Sequence, residues 1–237
     1  MLAGYSVQYW NILTHIRANY MHQNDKKQMV AEAVLDYIDT GQVLGIGSGS
    51  TVEIFISHLN KIRSKIDACV SSSDKTSQLL DQNGFRVIEL REVGTIPIYI
   101  DGADEANKQK QLIKGGGGAL TREKIVASCS EKFICIIDDS KFVSKLGKFP
   151  LPIEVISMAQ SKIALEMIKK GARPVLRENF ITDNKNIILD VHGMDINEPI
   201  VLERELNNMP GVVTNGLFSQ KPADVLLISD GINVKNI

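Results

Sequence analysis

Short apolar runs alternate with segments of helical spacing along the first 140 residues of the chain. The runs predict strands at 43–46, 67–70, 85–90, 96–100 and 133–137. Apolar residues recur every three or four positions between several of these runs, which predicts intervening helices. Strands that are almost continuously apolar and alternate with helices are typical of a parallel sheet covered on both faces. We therefore predict an α/β fold with a mostly parallel sheet.

The pattern changes after Phe149-Pro150-Leu151-Pro152. Predicted elements then follow in the order strand 153–156, helix 159–170, strands 174–176 and 187–191, helix 199–208 and strands 212–213 and 225–228. The β-α-β-β-α-β rhythm indicates a smaller α+β domain of ferredoxin-like type, and the last strand is expected to return to the first sheet. We predict a catalytic domain at 21–146 plus 225–237 and a small domain at 147–224.

The first twenty residues contain the only tryptophan, Trp10, and stand apart from this pattern. They could form a docking helix, an arm onto a partner subunit, or an extension upstream of a more usual first residue, Met21. We favour the last interpretation, because the helix predicted next is complete without them. Residues 1–20 are therefore treated as an N-terminal extension.

Composition narrows the class of protein. Of the 237 residues, 43% are apolar and 23% are charged, which is typical of a soluble globular protein. The net charge is −1, which gives no electrostatic reason to expect nucleic acid or membrane partners. No apolar run approaches the roughly 20 residues of a membrane span. The three cysteines form no CxxC pair, so we expect reduced thiols and a cytoplasmic location. The four histidines have no metal-ligand spacing, and we expect neither metal nor organic cofactor.

A glycine-serine loop, Gly47-Ser48-Gly49-Ser50-Thr51, lies between the first predicted strand and its helix. Such a loop can bring free backbone amides at a helix start close to a phosphate. It is not a Walker loop, because no Lys-Ser/Thr pair follows the last glycine, and it matches the dinucleotide fingerprint only in part. A phosphate-binding loop and a plain tight turn both remain open from these residues alone.

The stretch 101–124 has the strongest candidate chemistry. It places Asp101, Asp104, Lys114 and Glu123 around the four glycines 115–118, directly after a predicted buried strand. Aldose–ketose isomerisation needs a carboxylate base, a cation for the developing oxyanion and a phosphate anchor. Each residue also has a plainer interpretation as a capping acid, a turn residue or a surface charge. Four consecutive glycines carry an entropic cost that a simple connector does not explain.

The order and spacing of five motifs carry a family resemblance. The motifs are GIGSGST, SSSD, DGADE, KGGGGALTREK, and DDSK with LGKFPLPIEV. Together they resemble ribose-5-phosphate isomerase of the A type, from about Asp25 to the C-terminus. The resemblance implies a Rossmann-like domain with a small α+β domain, a homodimer or tetramer, and interconversion of ribose 5-phosphate and ribulose 5-phosphate in the non-oxidative pentose phosphate pathway, without a cofactor.

The resemblance also implies roles for individual residues. Glu123 is the expected general base, and Asp101, Asp104 and Lys114 are expected to act on the sugar oxygens, with Asp101 assisting ring opening. The expected substrate-binding residues are Ser48, Gly49, Ser50, Thr51, Asp101, Gly102, Ala103, Asp104, Lys114, Gly115, Gly116, Gly117, Lys141 and Lys27. Gly118 departs from the family pattern, in which many relatives have alanine.

An alternative of another class is a non-catalytic sugar-phosphate sensor on a similar fold. A sensor needs an attached output module, and twenty N-terminal residues are too few for a helix-turn-helix with a linker. A sensor also has no need of Glu123, so loss of turnover on changing that residue distinguishes the two hypotheses.

Overall fold

The computed structural model describes residues 23–237, and the predicted N-terminal extension lies outside them. The α-helices are α1 (Gln23–Ala33), α2 (Ser50–Leu59), α3 (Asp74–Gln82), α4 (Leu120–Ser128), α5 (Gln160–Lys169) and α6 (Pro199–Asn207). The strands are β1 (Gln42–Ile46), β2 (Ile66–Ser71), β3 (Ile96–Asp101), β4 (Glu105–Ala106), β5 (Leu112–Ile113), β6 (Ser130–Asp138), β7 (Leu151–Val155), β8 (Arg173–Leu176), β9 (Ile187–His192), β10 (Val212–Asn215), β11 (Leu217–Phe218), β12 (Val225–Ser229) and β13 (Val234–Asn236).

A six-stranded sheet forms the largest layer, in the order β13-β12-β6-β3-β1-β2. All neighbouring strands in it are parallel except β12 and β13. The central strand β3 is buried along nearly its whole length, which explains its continuous apolar sequence. Strand β12 does return to this sheet beside β6, as the sequence predicted.

Helices cover both faces of the six-stranded sheet. On one face, α1, α2 and α3 contribute Val30, Phe55 and Leu80 to a core with the strands. On the other face, α4 contributes Val126, which packs with Tyr99 and Phe133. Among the helices described, none has the length and apolar character needed to cross a membrane.

A four-stranded antiparallel sheet, in the order β10-β7-β9-β8, has its own core with α5 and α6. Numbered from β7, this order is 4-1-3-2 of a β-α-β-β-α-β unit, which confirms the predicted ferredoxin-like part of the fold class. The mixed α/β class with a mainly parallel sheet is confirmed as well. The domain boundaries at 147 and 224 stay a prediction.

A small three-stranded sheet, β11-β5-β4, was not predicted from the sequence. Its strands are only two residues long, so they leave little periodic signal. Ile113 and Leu217 pack into the core of the four-stranded sheet, whereas Leu112 and Phe218 pack under α4. The small sheet thus joins the two larger layers beside the stretch 101–124.

One predicted strand is wrong. Residues 85–90 make a single parallel bridge to β2, between Val87 and Cys69, instead of a ladder. Phe85 turns into the core, and Glu89 caps a short 3₁₀ helix that begins at Leu90. The segment therefore runs beside the edge strand without joining the sheet.

Candidate active site

A cleft of about 240 Å³ lies at the carboxyl ends of β1, β3 and β6. Parallel sheets bind ligands at this edge, because the loops that follow the strands converge there. The cleft is lined by Gln23, Lys27, Ser48, Gly49, Ser50, Thr51, Gly102, Ala103, Asp104, Lys114, Gly115, Gly116, Gly117, Glu123, Ile137 and Lys141. Fourteen of the fifteen different residues predicted for the site are in this set, and Asp101 is the exception.

Glu123 lies in the first turns of α4, with only 3% of its surface exposed. The Ser48 hydroxyl donates to Glu123 Oε1 at 2.5 Å, and Lys114 Nζ is 3.3 Å from Oε2. Burial raises the pKa of this carboxyl to about 7, against the opposing effect of the Lys114 ammonium; the nearby Asp101 charge raises the pKa further. A carboxylate with a pKa near neutrality is suited to exchange protons with a substrate.

Lys114 is buried between two carboxylates. Its Nζ is 2.7 Å from Asp101 Oδ2 and donates to the Gly102 carbonyl at 2.6 Å. Burial by itself lowers the pKa of the ammonium, but the charges of Asp101 and Glu123 outweigh burial and raise the pKa above its ordinary value. The side chain is therefore a fixed cation at the wall of the cleft.

Asp101 is fully buried behind that wall. Besides Lys114, its carboxylate accepts hydrogen bonds from the Ser48 amide at 3.0 Å, the Gly102 amide at 2.7 Å and the Tyr99 hydroxyl. Other groups surround both of its oxygens, and the expected direct contact of Asp101 with substrate stays a prediction. Its observed contacts orient Lys114 and the loop that begins at Gly47.

Asp104 is half-buried and faces the cleft beside the glycine loop, residues 115–118. The Gly116 amide donates to Asp104 Oδ2 at 2.7 Å. A Cβ atom at position 116 would come within 2.5 Å of the Asp104 carboxylate, so this close approach requires glycine. The glycine run thus lets the backbone meet a carboxylate at the cleft surface.

The other end of the cleft has the character of an anion site. Ser50 and Thr51 begin α2, whose N-cap residue Gly49 has no side chain to satisfy the first amides. Lys27 Nζ donates to Ser50 Oγ at 2.9 Å, and Lys141 also lines the cleft. An ammonium group at a helix N-terminus, with a second one lining the cleft, provides complementary charge for a phosphate.

Two lining residues, Gln23 and Ile137, were missed in the sequence. Gln23 precedes Lys27 by four positions on α1, so both lie on one helix face, and that spacing was an available signal. Gln23 Nε2 donates to Asp138 Oδ2 at 3.2 Å, at the end of β6. Within residues 23–237, no group of three His, Cys, Asp or Glu side chains is arranged to hold a metal ion.

Comparison with known proteins agrees with this geometry. The family model of ribose 5-phosphate isomerase A (phosphoriboisomerase A) matches residues 68–231. A crystal structure of ribose 5-phosphate isomerase A from Neisseria gonorrhoeae is 44% identical, has a TM-score of 0.89, and the match covers 91% of this chain and 97% of that one.

Two further structures are similar over comparable lengths. Ribose 5-phosphate isomerase A from Methanocaldococcus jannaschii is 36% identical, with a TM-score of 0.85 and coverage of 91% of this chain and 99% of that chain. A D-ribose-5-phosphate isomerase in complex with phospho-erythronic acid is 35% identical, with a TM-score of 0.87 and coverage of 92% and 99%. The resemblance drawn from five sequence motifs is thereby confirmed, and this chain belongs to the ribose 5-phosphate isomerase A family.

Proposed function

We propose that this protein interconverts D-ribose 5-phosphate and D-ribulose 5-phosphate, as an aldose–ketose isomerase of the non-oxidative pentose phosphate pathway. The observation that carries the proposal is the buried Glu123 carboxylate, placed at the cleft wall between Ser48 and Lys114. Family membership and the relative with bound phospho-erythronic acid, a phosphorylated sugar acid, support this substrate class.

The reaction moves one carbon-bound proton between adjacent carbons. Glu123 takes the proton from C2 of the open-chain aldose, which leaves an enediolate, and returns it to C1 to give the ketose. The hydroxyl proton on O2 moves to O1 in the same sequence, so that no atom or electron is gained or lost. Its pKa of about 7 lets Glu123 act as base in the first step and as acid in the second.

Lys114 stabilises the negative charge that develops on the enediolate oxygens. Its ammonium is held by Asp101 at 2.7 Å before substrate arrives, so little reorganisation is needed during the reaction. Asp104 faces the cleft and is the carboxylate that we assign to the sugar hydroxyls. The role of Asp101 in ring opening is then exerted through Lys114 and the Ser48 amide that it holds.

The phosphate is bound at the opposite end, by Lys27, Lys141 and the amides at Ser50 and Thr51. Anchoring a remote group fixes C1 and C2 beside Glu123, and binding energy is used in this way to orient the reacting carbons. Gln23 also lines this part of the cleft and is positioned for a further hydrogen bond to the substrate.

The decisive experiment measures ribulose 5-phosphate formation by wild-type protein and Glu123→Gln. The amide preserves shape and can still accept from Ser48, but it cannot carry a proton. We expect kcat to fall by on the order of 10²–10⁴ with a smaller change in KM. Wild-type turnover is expected to persist in EDTA, because the buried ammonium supplies the charge that a metal ion would otherwise provide.

Glu32→Gln is the matched control, since Glu32 is an exposed carboxylate on α1 that pairs only with Lys61. It should retain wild-type kcat. Near-normal turnover in Glu123→Gln would refute the assignment of the base. A wild-type protein that binds a phosphorylated sugar acid without turnover would instead favour the sensor hypothesis.

We also propose that the chain acts as a homodimer or tetramer in the cytoplasm. Exposed apolar side chains such as Met158, Leu165 and Ile168 supply surface for self-association. Cys69, Cys129 and Cys135 are all free thiols, as expected in a reducing compartment. A sedimentation-equilibrium mass equal to that of a single chain would contradict the oligomer.

A further inference from the structure

Residues 177–184 form a segment, here called the strap, that connects β8 and β9 of the four-stranded sheet. The strap does not line the cleft, yet its side chains contact both the glycine loop and the first turn of α4. Both of these elements carry groups assigned to the reaction. The strap is thus the part of the four-stranded sheet that reaches the site.

At the start of the strap, Arg177 holds the backbone of the glycine loop. Its Nη1 donates to the carbonyl oxygens of Gly115 at 3.1 Å and Gly116 at 3.2 Å. The guanidinium is itself fixed by Asp190, through Nε at 2.9 Å and Nη2 at 2.5 Å. The Gly116 amide meanwhile donates to Asp104, so Arg177 is linked through one residue's backbone to a carboxylate at the cleft surface.

Phe180 packs against the last glycine of the loop. Gly118 has φ of +84°, and a Cβ atom added there would lie 2.1 Å from Phe180 Cζ. The Arg177 guanidinium lies over the same ring, 5.3 Å from its centroid. The ring therefore occupies the space that a side chain at position 118 would need, so phenylalanine in this position at 180 requires glycine at 118.

The far end of the strap is tied to α4 through Glu154, a fully buried carboxylate of β7. Thr182 donates to Glu154 Oε1 at 2.9 Å, and the Thr121 hydroxyl donates to Oε2. Arg122 donates to Asn184 Oδ1 at 3.1 Å. Thr121 and Arg122 immediately precede Glu123, so the strap holds the turn of helix that presents the base.

We propose that the strap is a positioning element for the isomerase site, with Arg177 and Phe180 as its positioning residues. It fixes the glycine loop on one side and the first turn of α4 on the other, and so sets the distance between Asp104 and Glu123 across the substrate. This inference rests on the proposed function. Because Phe180 packs against Gly118, this part of the positioning element is possible only in chains that have glycine at position 118.

The test uses Phe180→Ala, Arg177→Gln, Gly118→Ala and the double variant Gly118→Ala/Phe180→Ala, with kcat and KM measured well below each unfolding midpoint. Misplacement of a site group by about 1 Å can cost on the order of 10²-fold, so we expect each single variant to lower kcat/KM by about 10- to 100-fold. In the Phe180→Ala background, Gly118→Ala should cost less than it does in the wild-type background, because the clash is gone and only the strain of alanine at a φ of +84° remains. Lys170→Gln, which removes an exposed ion pair between the end of α5 and Glu205 of α6, is the control and should match wild type.

Hydrogen–deuterium exchange of the glycine-loop amides gives a readout that does not depend on turnover. Loss of the Phe180 ring should speed exchange of the loop by about 10-fold or more, because local opening becomes easier. An active wild type whose Phe180→Ala and Arg177→Gln variants keep kcat/KM within twofold would overturn the positioning role, even with lowered unfolding midpoints. An equal cost of Gly118→Ala in both backgrounds would overturn the pairing. An inactive wild type with faster exchange in Phe180→Ala would count against the proposed function, but it would still support the contact between the strap and the glycine loop.

Discussion

The buried glutamates of this chain differ in how completely their oxygens are satisfied. Glu105 accepts from two backbone amides, and Glu203 accepts from two amides and Lys124. Within the described residues, Glu123 Oε1 accepts from Ser48, and Oε2 lies 3.3 Å from the Lys114 ammonium without a hydrogen bond in suitable geometry. A buried carboxylate with an oxygen that lacks a hydrogen bond beside a cleft is available to take up a proton, whereas a fully hydrogen-bonded one has a structural role.

The pH dependence of turnover should report the protonation of Glu123. The base works only when deprotonated, so kcat/KM should fall about tenfold per pH unit below a pKa of about 7. The hydrogen bond from Ser48 lowers this pKa, and Ser48→Ala should therefore move the acid limb to higher pH. Rates measured from pH 5 to 9 on both proteins test this.

The substrate phosphate titrates near pH 6 and could produce an acid limb of its own. Its limb would not move on substitution of Ser48, which separates the two origins. A profile that stays flat down to pH 5 in the wild type would contradict a base with a pKa near neutrality.

At the scale of elements, the strands that were predicted correctly are those that a local pattern of apolar residues encodes. Strands β3 and β6 are long, buried and apolar, and the structure places them where the pattern indicated. Residues 85–90 are less apolar, because Arg86 and Glu89 interrupt the run, and they meet the edge strand β2 through a single bridge. Strand β11 pairs with β5 across more than 100 residues, which no local pattern encodes. Strands β4 and β5 pair with each other in a short hairpin, but each is only two residues long and leaves little periodic signal.

The candidate site was likewise predicted where local motifs encode it and missed where it depends on contacts between distant residues. Motifs at strand ends predicted the cleft residues, because parallel strands bring their carboxyl ends to one edge. The burial of Asp101 behind Lys114 could not be predicted, since it depends on the three-dimensional packing of Tyr99 and the Ser48 loop. The strap was also missed, because its role depends on contacts more than 50 residues apart in sequence, such as those of Arg177 with the glycine loop.

The junction of β1 and β3 leads to a prediction about stability. Ile46 pairs with Ile100, which brings Gly47 against Asp101, and a Cβ atom at position 47 would lie 1.9 Å from Asp101 Cγ. Gly47→Ala must therefore displace a buried, ion-paired carboxylate. We expect the free energy of unfolding to fall by about 1–3 kcal/mol or more, measured by urea denaturation.

Gly102→Ala is the matched control for this measurement. Position 102 follows the neighbouring strand, its φ is outside the left-handed region, and a Cβ atom there would meet nothing closer than 3.7 Å. Its free energy of unfolding should lie within about 1 kcal/mol of wild type. Equal stability of the two variants would show that the loop at Gly47 is free to move away from Asp101.

At the scale of the whole molecule, the site lies where three layers meet. The six-stranded sheet supplies Asp101 and the anion end, α4 supplies Glu123, and the strap from the four-stranded sheet contacts the glycine loop. Lys124, next to the base, pairs with Glu203 of α6 and donates to the carbonyl of Leu217 in β11. The catalytic helix is therefore held from both sides, and function depends on the relation between the layers.

Burial of Glu123 also lowers the free energy of unfolding by an amount that depends on pH. Its pKa is about 7 in the folded protein and about 4.5 when exposed, so the folded state binds this proton more tightly. The stabilisation from that proton is complete below pH 4.5 and is lost as pH rises through 7. At about 1.4 kcal/mol per pKa unit, the difference corresponds to at most about 3 kcal/mol.

The amide in Glu123→Gln cannot titrate, so this variant does not lose stability as the pH rises through 7. The free energy of unfolding of Glu123→Gln relative to wild type should therefore increase between pH 4.5 and 7 and become constant above that range. Urea denaturation of both proteins at half-unit pH steps measures the difference. For Glu32→Gln the difference should be flat above about pH 5.5, because Lys61 lowers the pKa of Glu32 below its ordinary value and the exposed group is then ionised in both the folded and the unfolded state. A flat difference for Glu123→Gln would mean that the base is not desolvated in the folded protein, which would remove the physical reason for its pKa near neutrality.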